Sequence, residues 1–84
     1  MAMSIRSPAH AMFGEAVRRE RARREMSQEG LALECGLDRT YISGIERGTR
    51  NPSLTNIIKI AMALQTTPAE LLAGIEGLDG PRSG

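Results

Sequence analysis

The sequence predicts an all-α domain of five short helices, and three observations carry that prediction. A residue with a capping oxygen stands ahead of each of five apolar-periodic stretches, at Ser7, Ser27, Asp38, Ser53 and Thr67. Between these caps the apolar residues recur three and four apart, the period of a helix rather than of a strand. The chain has 84 residues, 40% of them hydrophobic and 25% charged, which is room for one compact domain and no second module.

Met1 to Arg6 has no periodicity and reads as a mobile arm (1–6). Ser7-Pro8 then supplies an N-cap followed by proline at the first helical position, and the first helix runs to about Glu25 with Phe13, Ala16 and Val17 inward. Arg21 falls on the same stripe. The second helix runs from Ser27 to about Cys35, turning Leu31, Ala32 and Cys35 inward, and Gly36 takes the left-handed conformation that ends it. The third, capped by Asp38, presents Ile42 and Ile45 and closes at Gly48, with Thr49 to Pro52 as a loop.

On the fourth helix, opened by Ser53, the arc Leu54, Ile57, Ala61 and Leu64 is the expected inner face. Ile60 lies on one flank and Ile58 with Met62 on the other, which widens the apolar sector to about 200°. Thr67-Pro68-Ala69-Glu70 is a capping box that opens a short fifth helix through about Ala73. The domain is expected to span 7–76. Gly77, Gly80, Pro81 and Gly84 mark 77–84 as a flexible tail.

Composition excludes several functions. One Phe, one Tyr and no Trp give an aliphatic core and no platform on which single-stranded bases could stack. One Cys cannot form an intramolecular disulfide, and with one His it cannot furnish a four-ligand zinc site; no cofactor is expected. Cys35 belongs to an inward face and His10 reads as a solvated surface residue, so no catalytic constellation is in view and the chain is not expected to be an enzyme. Apolar runs fall far short of the roughly 18 residues of a membrane span, and the N-terminus lacks a signal pattern, so a cytoplasmic protein is expected. No domain for sensing a small molecule is expected in a chain this short.

The formal net charge is only +1, yet ten of the eleven basic residues are arginine. Arginine's planar fork fits phosphates and guanine edges bidentately, so the chain is better equipped for nucleic acid than its net charge suggests. The cluster from Arg18 to Arg24 reads mainly as a solvated helix face.

The second and third helices, joined by a tight turn at Gly36-Leu37, form a helix-turn-helix. Ala32 is small where the two helices cross, and Leu37, Ile42 and Ile45 pin the second of them onto the first. Here the sequence resembles the lambda-repressor-like, Cro/CI-type (XRE) family, through Ser27-Gln28, Leu31-Ala32, Gly36-Leu37, Tyr41-Ile42-Ser43, Glu46-Arg47-Gly48 and Asn51-Pro52-Ser53-Leu54. The likeness covers about residues 13 to 73. Within that family the stretch LDRTYISGIERGTRN, from Leu37 to Asn51, is most similar to the controller proteins of restriction-modification systems. Phage repressors and antitoxins share much of the same wording. Two departures, Gly30 inside the second helix and Gln65 where the family commonly has the glycine that ends the fourth, lower the expected stability and blur those helix ends.

The fold thus expected is a compact five-helix lambda-repressor-like domain binding double-stranded DNA. A helix in the major groove reads bases from its N-terminal end, which makes Arg39, Thr40, Tyr41 and Ser43 the candidates, with Arg39 donating bidentately to guanine. Gly44 leaves room for close approach. The resemblance assigns Gln28 a phosphate contact at the start of the second helix, and Arg47, Arg50 and Asn51 flank the exit of the third. Arg6 is a weaker candidate. Arg21 is a charge heading inward and needs a carboxylate; Glu46 is the expected partner, a pair the resemblance supports. Ile58, Met62, Leu71, Leu72 and Ile75 are the expected interface of a homodimer on a palindromic operator. Glu29 and Glu34 form an acidic face of the kind that activating family members turn toward RNA polymerase.

Overall fold

The computed structural model describes residues 7–75. The expected arm with Arg6, the expected tail, and Glu76 lie outside the described residues. Five helices are present and no strand occurs among the described residues: α1 (Pro8–Arg23), α2 (Gln28–Cys35), α3 (Arg39–Glu46), α4 (Leu54–Ala63) and α5 (Pro68–Leu72). No helix among them is long and apolar enough to cross a membrane.

Each predicted cap is in place. Ser7, Ser27, Ser53 and Thr67 accept hydrogen bonds from the backbone N–H three residues on, and Asp38 from that of Thr40. Replacing such a cap by alanine typically costs about 1 kcal/mol. The first four helices also end alike. A residue in the left-handed region follows the last turn, at Glu25 (φ 53°), Gly36 (φ 71°), Gly48 (φ 77°) and Gln65 (φ 57°). Its successor's N–H reaches back to a carbonyl of the final turn: Met26 to Arg21, Leu37 to Ala32, Thr49 to Gly44 and Thr66 to Ala61. Glu25 is therefore the terminator of α1 rather than its last turn, whereas Gly36 and Gly48 close α2 and α3 as expected.

The core is aliphatic around one aromatic ring. Phe13, Ala16 and Val17 of α1 meet Leu31, Ala32 and Cys35 of α2, Ile42 and Ile45 of α3, Ile60 and Ala61 of α4, Leu64, and Leu71 of α5. Helix α1 packs on α3 and α5, α2 on α3 and α4, and α4 on α5. The α1–α3 contact requires glycine at position 14, where a Cβ would stand inside van der Waals contact of the Ile45 carbonyl and 2.6 Å from that of Glu46. Sequence reasoning passed over Gly14; the small pair Ala11 and Gly14, spaced by three on one face of α1, was the available signal.

Three expectations about burial are corrected. On α4 the buried set is rotated toward Ile60, which is fully buried, while Leu54 at 71% exposure stands outside with Ile58 and Met62. Leu71, expected at a dimer interface, is a core residue at 1% exposure because the short α5 folds back against α1 and α4. His10 is half-buried rather than solvated. The first turn of α1 covers Phe13, Leu72 and Ile75 around a pocket of about 160 Å³, and His10 Nδ1 is buried there without a hydrogen-bond partner among the described residues.

Candidate nucleic-acid interface

The helix-turn-helix is held by one buried ionic knot. Arg21 Nε donates to Glu46 Oε2 at 2.7 Å and Arg21 Nη2 to Glu46 Oε1 at 2.9 Å, a two-pronged pair between α1 and the last residue of α3. Arg21 Nη1 donates to the Met26 carbonyl at 2.8 Å, and Gln28 Nε2 donates to Glu46 Oε1 at 3.1 Å. Arg21 of α1 and Gln28 of α2 thus converge on an α3 carboxylate that is only 4% exposed, and the arginine, 17% exposed, is also tied to the α1–α2 turn. The hydrogen bond that Arg21 donates to Glu46 and the charge of that carboxylate, opposed by burial, hold the Arg21 guanidinium charged more firmly than an ordinary arginine. The pair expected from the stripe is observed, whereas the Gln28 bond was not legible in the sequence.

The N-terminal half of α3 is open. Arg39 is exposed and makes no hydrogen bond to the described residues. The Thr40 hydroxyl donates to Asp38 Oδ1 at 3.1 Å, so its proton is spent within the protein and its methyl and lone pairs are what a ligand would meet. Tyr41 is half-buried, its Oη accepting from Asn56 Nδ2 at 3.0 Å, with Arg50 Cζ 5.5 Å from the ring centroid. Ser43 Oγ accepts from Arg47 Nη1 at 2.7 Å. Gly44 does not leave free space as expected. A Cβ there would lie 2.6 Å from Arg50 Cγ, so the groove glycine makes in α3 holds the stem of that loop arginine.

Gln28, Ser43 and Arg47 line one open cleft of about 680 Å³ together with Glu15, Arg18, Glu46 and Thr49. Asn51 is not among them; it borders the pocket beneath His10. Of the α1 arginines, Arg18 is paired with Glu15 at 2.8 Å and Arg23 with Glu20 at 3.0 Å, both on the surface. Such pairs contribute little to stability but locally cancel charge. Exposed positive charge outside any ion pair among the described residues is therefore carried by Arg39, Arg47 and Arg50 on and just after α3 and by Arg19, Arg24 and Lys59 on α1, the α1–α2 turn and α4. Cys35 is 8% exposed; burial and the nearby Glu34 push its thiol up, against Lys59. Because the folded value is raised, the neutral thiol's stabilising contribution is complete below the ordinary thiol pKa and is lost as pH rises through the folded value.

Comparison with known proteins decides the family, since the helix-turn-helix family model matches residues 17–71. The chain belongs to the helix-turn-helix family. It is 60% identical over 62 residues to the control protein C.BamHI of Bacillus amyloliquefaciens, which spans 73% of this chain and 76% of that one. It is 45% identical over 65 residues to the control protein C.MunI of a Mycoplasma species, with 76% and 88% covered. The fold superposes on the crystal structure of the restriction-modification controller protein C.AhdI from Aeromonas hydrophila with a TM-score of 0.73 at 50% identity, covering 74% of this chain and 94% of that one. This helix-turn-helix chain is a DNA-binding transcriptional regulator of the controller type.

Proposed function

We propose that the chain acts in the cytoplasm as the controller of a restriction-modification system, binding a palindromic operator in double-stranded DNA as a homodimer. The observation that carries this reading is the asymmetry of α3. Its C-terminal end is locked by Arg21, Glu46 and Gln28, while its N-terminal end leaves Arg39 and Thr40 exposed with Tyr41 half-buried beside them. A rigid helix with unspent groups at its leading end suits the major groove. Arg39 pairs with a guanine edge, and the Thr40 methyl meets a thymine methyl. Gln28, with one amide proton left after its bond to Glu46, meets phosphate at the N-terminus of α2; Ser43, Arg47 and Arg50 flank the same backbone, with Asn51 at the loop edge.

Dimerisation uses the outer face of α4. Leu54, Ile58 and Met62 recur every fourth residue and are 71%, 41% and 71% exposed, a stripe that a second copy covers together with Leu72 and the half-buried Ile75. Two-fold symmetry then sets the half-sites about one helical turn, roughly 34 Å, apart or a multiple of it. On α2, Glu29, Glu34 and the 78% exposed Leu33 offer RNA polymerase an acidic face with an apolar anchor.

Selection of bound duplexes from a random pool at about 0.15 M salt, a stated ionic strength being essential, tests the reading. The expected result is a two-fold symmetric motif that Ile58→Glu, by separating the dimer, reduces to a half-site of weak affinity. Failure of the wild-type protein to enrich any motif overturns it, and leaves the fold to serve a protein partner instead.

A further inference from the structure

Tyr41 is held from two elements outside the helix-turn-helix. Asn56, on the first turn of α4, has its own N–H capped by Ser53 and reaches across to donate Nδ2 to the phenol oxygen at 3.0 Å. The Arg50 guanidinium lies 5.5 Å from the ring centroid, its stem seated in the groove that Gly44 leaves one turn further along α3. A phenol oxygen has one proton to give and two lone pairs to offer. Asn56 occupies a lone pair, and the proton has no acceptor among the described residues.

From this we infer that Asn56 is a positioning residue for DNA reading: it fixes Tyr41 as a hydrogen-bond donor, so that Tyr41 seeks an acceptor oxygen on DNA. The inference rests on the operator-binding reading above. The acceptor is either a phosphate oxygen or a base-edge carbonyl in the major groove, and both present the same chemistry to a phenol proton. Asparagine suits the task because its amide gives a proton to the phenol. Aspartate at the same place only accepts, so it would take the phenol proton for itself and leave Tyr41 nothing to donate.

A double-mutant cycle on the operator selected by the wild-type protein, at about 0.15 M salt, tests this. Tyr41→Phe is expected to weaken binding by about threefold to tenfold per half-site, the range for one hydrogen bond. Asn56→Asp is expected to lose the same factor, and the double variant no more than either alone. Asn56→Ala, which frees the phenol without capturing its proton, loses less. Simple repulsion of DNA by the new carboxylate would instead persist in the Tyr41→Phe background, so additive losses overturn the inference, as does wild-type affinity in Asn56→Asp. Thermal midpoints accompany each variant; an acidic residue in the first turn of α4 suits the helix dipole, so Asn56→Asp is expected to remain folded. If the acceptor is a base, both variants lose preference at one and the same motif position. If it is a phosphate, preference stays, and one methylphosphonate that weakens wild-type binding has no effect on either variant. Failure of the wild-type protein to enrich a motif removes the operator reading and this inference with it; a wild-type motif with independent variant effects removes the inference alone.

Discussion

The two ends of α3 are built on opposite principles. At Glu46 three hydrogen bonds from Arg21 and Gln28 close around a carboxylate, a fourth ties Arg21 to the Met26 carbonyl, and the α1–α3 contact over Gly14 excludes even a methyl group. At Arg39 and Thr40 only the Asp38 cap is fixed, and the side chains face solvent. The contrast separates the residues that anchor this eight-residue helix from those that its leading end leaves exposed. A reading end can change its sequence preference while the anchored end keeps the helix in place.

The sharpest way to break this division is at the anchor. Arg21→Ala strands Glu46 with only Gln28 for company, and loss of one partner of a buried pair costs about 3–5 kcal/mol. A fall of that size in urea-unfolding free energy is the expected outcome; a change under about 0.5 kcal/mol would mean that the knot is dispensable. Next in size is the reading end. Arg39→Ala should forfeit about 1–3 kcal/mol of discrimination at a guanine in each half-site, measured by competition with mismatched operators. Its unfolding free energy should stay within about 0.5 kcal/mol of wild type, as for exposed residues generally. Smallest, and opposite in sign, is Gln65→Gly. Gln65 sits at φ 57°, where a side chain costs about 1–2 kcal/mol, so glycine should raise stability by about 1 kcal/mol and the thermal midpoint by several degrees, with operator affinity unchanged.

Much of the fold was legible because its signals are local. Ser7, Ser27, Asp38, Ser53 and Thr67 each announce a helix within four residues of sequence, and Gly36 and Gly48 announce the stops. Arg21 was legible because a charge on an apolar stripe demands a partner. What escaped depends on azimuth and distance. Periodicity gave the width of the apolar sector of α4 but not which part of it meets the core, and so misplaced Leu54 and Ile60. The same limit put Leu71 at an interface. Nothing near Gln28 points to Glu46, 18 residues away, and nothing near Tyr41 points to Asn56, 15 residues away. Such bonds exist only once the helices have packed.

The surface pairs of α1 have a consequence for how the protein finds its target. Two of the eight arginines among the described residues, Arg18 and Arg23, are cancelled at the surface by the chain's own carboxylates, and a third, Arg21, by the buried Glu46. Retention on arbitrary duplex depends on cations free to displace counterions, so a protein that spends them internally leaves random genomic DNA quickly. Fewer molecules are trapped on the chromosome. Operator occupancy is then expected to follow the number of copies in the cell closely.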